Sequence, residues 1–213
     1  MAMSDAAKWV EPVVMAGRVV RMEPLEVRHA ADLAAAADWE LFRFTPQAPL
    51  ELTGDAFARQ IEKLNARGDV VAFAVVLNES GRAIGRSTYM EVQAEHRGVE
   101  IGRTWIGRAW HGTAVNPEMK FLMLRHAFER LAPPAVRVQL TTAGTNVHSQ
   151  QAIAKLGAVR EGVLRQNRVV PSGPRQSDPP MMRDTVVFSI LADEWPGVKR
   201  GLMSRLGWSD EPS

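Results

Sequence analysis

The sequence predicts a single α+β domain built on a mixed, mostly antiparallel central sheet flanked by helices. Three observations predict it. Three short apolar runs joined by turn signals lie between Val70 and Gly107, as in an antiparallel meander. A long helical pattern, Asn116 to Leu131, follows them directly. A strand–helix–strand return then starts at Ala135, which adds a crossover connection to an otherwise antiparallel order.

The elements follow in order. Met1 to about Ala16 shows no periodicity and is expected to be loosely ordered. "GRVVRMEPL", Gly17 to Leu25, is apolar-rich, contains a proline near its end and reads as a strand. Alanine-rich Glu26 to Asp38 reads as a helix. In "TGDAFARQIEKLNARG", Thr53 or Asp55 can cap a second helix; Phe57, Ile61 and Leu64 recur at helical spacing and Gly68 stops it. Val70 to Leu77 is a buried strand and "NESG", Asn78 to Gly81, a hairpin turn. Arg82 to Gln93 returns as a strand. Gly98 to Gly107 is a third, in which Val99, Ile101, Arg103 and Trp105 alternate with Glu100, Gly102, Thr104 and Ile106.

The helix after it has Asn116 as its expected N-cap and Pro117 at its first position, with Phe121, Leu124, Phe128 and Leu131 on one face. Ala135 to Gly144 is a strand, and Asn146 to Ala158 a short helix with an Asn cap and a Gly157 stop. Two further strands, one beginning "GVLRQNRVV" and one over Arg183 to Leu191, flank a Pro-, Ser- and Gly-rich loop from Pro171 to Met182. Residues 196–213 form a C-terminal tail or helix.

At 213 residues the chain suits one domain, residues 1–213, with a full core. Hydrophobic residues make up 46% and charged residues 23%, an ordinary globular balance. The formal charge of +2, from 26 basic and 24 acidic side chains, gives no basic block, so a nucleic-acid partner is not expected. Cysteine is absent, which excludes disulfides, thiolate metal sites and cysteine nucleophiles. The N-terminus has no apolar core segment of the signal-peptide kind, and the run Val70 to Leu77 is far too short for a bilayer. The expectation is a cytoplasmic protein with no membrane partner. His29, His96, His111, His126 and His148 show no metal-ligand spacing, so no metal is assigned.

The stretch "AWHGTAVNPEMK", Ala109 to Lys120, puts small residues just before a helix start. Helix N-termini present free N–H groups and the positive end of the macrodipole, and small residues let a phosphate approach the backbone. Strand-to-helix turns of this composition are also common as plain structure.

The order and spacing of these segments, from about Gly17 to Trp195, resemble the GNAT superfamily of N-acetyltransferases, and within it the branch acting on ribosomal-protein N-terminal alanine and serine. That resemblance implies acetyl-CoA as cosubstrate. The family's cofactor loop, Gln/Arg-x-x-Gly-x-Gly/Ala, aligns with His111-Gly112-Thr113-Ala114-Val115-Asn116. His111, Ala114 and Asn116 depart from the pattern. The backbone donors survive such changes, and Ala114 is strained only where its position needs positive φ. Asn146, Ser149 and the run Lys155-Leu156-Gly157-Ala158 match the family's second motif, in which the Asn approaches the pantetheine arm. Asn146 is equally a helix cap.

The resemblance further implies two splayed strands, Gly98 to Gly107 and Ala135 to Ala143, holding the thioester between them. A backbone N–H near Ile106 would polarise its carbonyl, Ser149 would protonate the leaving thiolate, and Glu100 would serve as base, directly or through water. Glu91 has less support in that role. Each has a plain alternative: Ser149 as a surface helix residue, and Glu100 as a solvated or arginine-paired carboxylate. Tyr89, the single tyrosine, lies on the wrong strand for the general acid. Trp105 is either a tunnel residue or core. The expected activity is acetyl transfer to a primary amine, on a protein N-terminus or a small molecule. The alternative is a degenerate GNAT-fold module that binds CoA or regulates without catalysis. The loop Pro171 to Met182 is expected to border the acceptor side. A homodimer is left open.

Overall fold

The computed structural model describes residues 9–45 and 47–210. One eight-stranded sheet runs through it in the order β1-β2-β3-β4-β5-β6-β8-β7. The strands are β1 (Met15–Ala16), β2 (Val20–Pro24), β3 (Val70–Leu77), β4 (Ala83–Gln93), β5 (Gly98–Ile106), β6 (Arg137–Ala143), β7 (Val159–Pro171) and β8 (Pro180–Leu191). The helices are α1 (Ala30–Ala36), α2 (Gly54–Asn65), α3 (Val115–Arg125), α4 (Val147–Ala154) and α5 (Trp195–Leu206). Every neighbouring pair is antiparallel except β5 and β6. The predicted α+β class and mixed sheet are therefore the observed ones.

Two cores form, one on each face. β3 shows why: Phe73 and Val75 point to one side, and Ala72, Ala74 and Val76 to the other. The larger core packs β3, β4, β5, β6 and β8 against α3 and α5; the smaller packs β3 and β4 against α1 and α2. Phe42, Phe57 and Trp105 anchor the smaller core, with ring centroids 5.6 to 6.5 Å apart. Trp105 is thus a core residue.

Several boundaries differ from expectation. The segment before Ala16 is not loose where it is described: Trp9 and Val10 are buried, and Trp9 Nε1 donates to Pro133 O at 2.8 Å. An indole with a buried acceptor orders a segment whose sequence has no period. Residues 1–8 and 211–213 lie outside the described residues. The predicted helix from Glu26 splits into a short 3₁₀ turn, Val27–His29, and α1. The loop after β7 shrinks to residues 172–179, because Pro171 pairs with Pro180 and both strands lengthen. The C-terminal segment is helical, α5, ending at Gly207 in the left-handed conformation.

Asn116 does not cap α3. The cap is Ala114, and Asn116 and Pro117 lie inside the first turn. Pro117 still fits, because an N–H in the first turn has no helical acceptor. α3 is buried on nearly every side, since the sheet, β1, β2 and α5 surround it. Its single apolar face in the sequence understates that burial.

β5 does not alternate throughout. Gly102 pairs with Thr88 and Trp105 with Arg86, so β5 carries one extra residue between them, and Arg103 sits there at φ 50°. This bulge shifts the alternation by one position. Val99 and Ile101 face the larger core, and so does Ile106 beyond the bulge, while Trp105 turns to the smaller one.

Candidate active site

β5 and β6 pair only at Gly98–Arg137, Val99–Val138 and Glu100–Gln139. Beyond Glu100 they part, and a fork opens between Ile101–Ile106 and Leu140–Ala143. On its other edge β6 stays fully paired with β8 from Arg137 to Ala143, so the strands part on the β5 side alone.

The upper edge of the fork is polar backbone. Gly107 N–H donates to Ile84 O at 2.8 Å, which makes residues 84 and 107 a hydrogen-bonded pair. The next pair, Gly85 and Ile106, is then of the non-hydrogen-bonded kind. Both polar groups of Ile106 therefore point away from β4, toward the fork. Its carbonyl accepts from His111 Nε2 at 2.8 Å. The His111 ring stacks on exposed His148 of α4, with centroids 6.3 Å apart and an 18° tilt. His111 thus ties three predicted regions together: the strand end, the small-residue loop and the second motif.

The loop itself turns at Gly112, φ 76°. Ala114 sits at φ −67°, ψ −14°, which any residue adopts without strain. Val115 N–H turns to Thr113 Oγ1 at 3.3 Å. The first amide to close a helical bond is Glu118, onto Ala114 O at 3.0 Å. The amides of Gly112, Thr113, Ala114 and Asn116 thus precede the helical hydrogen bonds, at the positive end of α3. Such a turn fits a pyrophosphate. The Glu118 carboxylate does not compete for that place: it is buried, accepts from the Arg18 and Val19 amides, and is raised in pKa chiefly by burial.

Glu100 lies at the root of the fork and is 4% exposed. No arginine lies within salt-bridge distance of it among the described residues, though its charge acts on Arg183. Gln139 Nε2 donates to Glu100 at 2.9 Å and Thr141 Oγ1 at 2.7 Å, so β6 holds the carboxylate of β5. It borders a small, open cavity of about 40 Å³ shared with Glu91, Gln93 and Gln139. Glu91 is farther out, 3.8 Å from Arg168. Asn146 caps α4, its Oδ1 accepting from Ser149 N–H at 3.1 Å. Ser149 is half-buried on the first turn of that helix. Tyr89 is buried beneath α3, donating to Met123 O at 2.5 Å, and burial pushes its phenol well above the ordinary range. Its place is structural.

The sequence reading missed the buried cations, Lys120 and Arg86 among them. Lys120 of α3 donates to Thr104 Oγ1 at 3.0 Å, and burial pushes its ammonium down to about 7, with Glu100 acting the other way. The apolar neighbours Met119 and Phe121 to Leu124 leave Lys120 no polar side of the helix, which was the available signal. Arg86 of β4 is 3% exposed, within a run that otherwise reads as an ordinary strand. Among the described residues, no three His, Cys, Asp or Glu side chains gather as a metal site, and no helix is long and apolar enough to cross a membrane.

A parallel strand pair that forks beside a phosphate-fitting helix N-terminus defines the class of acyl-CoA-dependent acyltransferases. The chain belongs to the GNAT acetyltransferase family: the model of its acetyltransferase (GNAT) domain matches residues 20–159. Solved structures agree. A Thermus thermophilus protein assigned as an acetyltransferase is 39% identical, with a TM-score of 0.82 over 93% of this chain and 99% of the other. A GCN5-related N-acetyltransferase from Brucella melitensis is 28% identical, with a TM-score of 0.82 over 92% and 86%. Mycobacterium smegmatis RimJ, solved with CoA-disulfide, is 22% identical, with a TM-score of 0.73 over 92% and 93%. The ribosomal-protein branch thus appears at lower identity, as a likeness of fold. No curated protein sequence matches the chain.

Proposed function

We propose that the protein transfers acetyl from acetyl-CoA to a primary amine. One observation supports this reading: Ile106 N–H points away from β4 toward the fork, and the loop that follows presents amides of Gly112 to Asn116 that precede the helical bonds. Acetyl-CoA supplies the activated acyl group. The amides of Gly112, Thr113, Ala114 and Asn116 would receive its pyrophosphate, and the Asn146 amide nitrogen, not used by the cap, would approach the pantetheine arm. Ile106 N–H stabilises the developing oxyanion. Glu100 takes a proton from the acceptor ammonium through water, the neutral amine so formed attacks the thioester carbonyl, and Ser149 gives a proton to the leaving thiolate. His111 is a positioning residue, since it fixes the loop against Ile106.

The unstrained Ala114 favours an active enzyme over a degenerate module. Both a protein N-terminus and a small amine fit the reaction, in a cytoplasmic setting. The test is thermal unfolding with and without acetyl-CoA, then turnover on an amine panel. Acetyl-CoA at 100 times its Kd should stabilise by about 2.7 kcal/mol. The absence of any shift at millimolar acetyl-CoA would refute the reading. A shift without turnover would favour the non-catalytic module.

A further inference from the structure

Four buried side-chain polar atoms lack a hydrogen-bond partner among the described residues: Arg86 Nε, Arg103 Nε, Trp105 Nε1 and Arg183 Nε. All four are N–H donors, and three belong to guanidinium groups. Folded proteins leave few such groups, and each calls for a reason.

The register gathers them on one face. Arg86 opposes Ala74 and Trp105, both of which point into the core beneath α1 and α2. Arg183 donates through Nη1 to Phe44 O at 3.0 Å, in the segment between those helices. Arg103, at the β5 bulge, is the one charge that acts appreciably on Arg86. This face is opposite α3. It borders the fork on the side where Gln176, from the loop joining β7 and β8, donates to Ala48 O.

Asp69 and Glu91 act on Arg103 and Glu100 acts on Arg183, but no acid acts appreciably on Arg86. Glu100 accepts from Gln139 and Thr141, Asp69 pairs with Arg67 at 2.7 Å, and Glu91 lies by Arg168. Burial together with Arg103 pushes the Arg86 guanidinium down to about 10, so it remains a cation at neutral pH. A buried cation without a counter-charge is unfavourable in the free protein. It is favourable once an anion arrives, because a planar guanidinium binds a carboxylate or phosphate through two parallel bonds.

Resting on the amine-acetylation reading above, we infer that the acceptor is a small amine that also carries a carboxylate or a phosphate, and that Arg86 binds this anion with Arg103 and the Trp105 N–H beside it. The depth of Arg86 favours a small molecule over a protein chain. The amine then reaches the fork while the anion stays under α1 and α2.

The experiment compares matched acceptors at saturating acetyl-CoA: α-amino acids against their carboxamides, and aminoalkyl phosphates against the corresponding amino alcohols. The anionic member of the preferred pair should exceed its neutral partner in kcat/KM by roughly 10- to 100-fold, the worth of a hydrogen bond to a charged group. Whichever pair shows the preference separates carboxylate from phosphate. Arg86→Met should abolish the preference and leave the KM for acetyl-CoA unchanged, and Arg86→Lys should retain part of it. In the absence of ligand, Arg86→Met should raise the denaturation midpoint, where loss of a structural contact would lower it. Equal turnover of acid and amide, or an equal loss on every acceptor in Arg86→Met, would overturn the inference while leaving acetyl transfer standing. Should no amine be acetylated, the amine reading fails, and anion binding is read directly. Inorganic phosphate and the deaminated carboxylates should then raise the melting temperature of the parent but not of Arg86→Met; no shift in either overturns the anion site too.

Discussion

The two small residues of the proposed cofactor loop should respond to exchange for different physical reasons. Gly112 is at φ 76°, and a Cβ built there meets nothing within 4 Å. Gly112→Ala is therefore free of collision and tests backbone strain alone. The left-handed conformation costs an L-residue about 1–2 kcal/mol. Restriction of the unfolded chain returns about 0.4–1 kcal/mol. The net expectation is a loss of up to about 1.6 kcal/mol, with a midpoint of ~0.8 kcal/mol, taken up by unfolding or by a loop relaxed toward negative φ. Ala114, at φ −67°, has no strain to release, so Ala114→Gly should destabilise by a few tenths to about 1 kcal/mol through added chain freedom. Urea denaturation gives the stabilities, and calorimetric titration with CoA gives the affinities. Both variants should bind CoA more weakly than the parent, Gly112→Ala the more so if its loop relaxes. Tighter binding by Ala114→Gly, or a Gly112→Ala variant more stable than the parent, would refute the reasoning.

Glu100→Gln keeps the shape but removes the carboxylate; it should lower kcat roughly 10- to 1000-fold with little change in the KM for acetyl-CoA, and steady-state kinetics check this. Ser149→Ala should lower kcat more than it raises that KM, as for an interaction made in the transition state, and an unchanged kcat would reduce Ser149 to a helix residue. Lys120 has a folded pKa pushed down to about 7 from an ordinary 10.5. Between those values the unfolded chain binds more protons, so this group makes stability rise with pH across that window. Urea denaturation at several pH values should show that slope in the parent and lose it in Lys120→Met.

The sheet was legible because its strands are β-branched runs with clear turn chemistry, such as Val70 to Leu77 followed by Asn78 to Gly81. The turn at Gly112 and the Asn146 cap were legible as small-residue and capping signals. What escaped was set by tertiary pairing. Nothing local at Arg103 announces a bulge, because the extra residue exists only relative to β4. Helical spacing placed α3 against one layer, while β1, β2 and α5 cover it as well, so Lys120 looked like an ordinary polar position. The N-cap moved from Asn116 to Ala114 because Thr113 Oγ1 takes the Val115 amide and starts the turn earlier.

The bulge also explains why one strand can serve two sides of the sheet. With strict alternation from Val99 and Ile101, Ile106 would face the smaller core and Trp105 the larger. The inserted residue reverses that assignment, so Trp105 packs on Phe42 and Phe57 while Ile106 joins the core beneath α3. It also turns Thr104 toward Lys120 and toward Ser87, with the Ser87 and Thr104 hydroxyls 2.7 Å apart. The strand end is thereby fixed from below by polar contacts and from above by an aromatic cluster, and its last N–H is left to the fork. β6 contributes the complementary half: paired to β8 throughout, it parts from β5 alone, and it uses Gln139 and Thr141 to hold Glu100 where the strands part. The fork thus opens while both strands stay paired with their outer neighbours, so it belongs to the fold in the absence of any ligand, and the Arg86 side and the Gly112 side can each be altered without closing it.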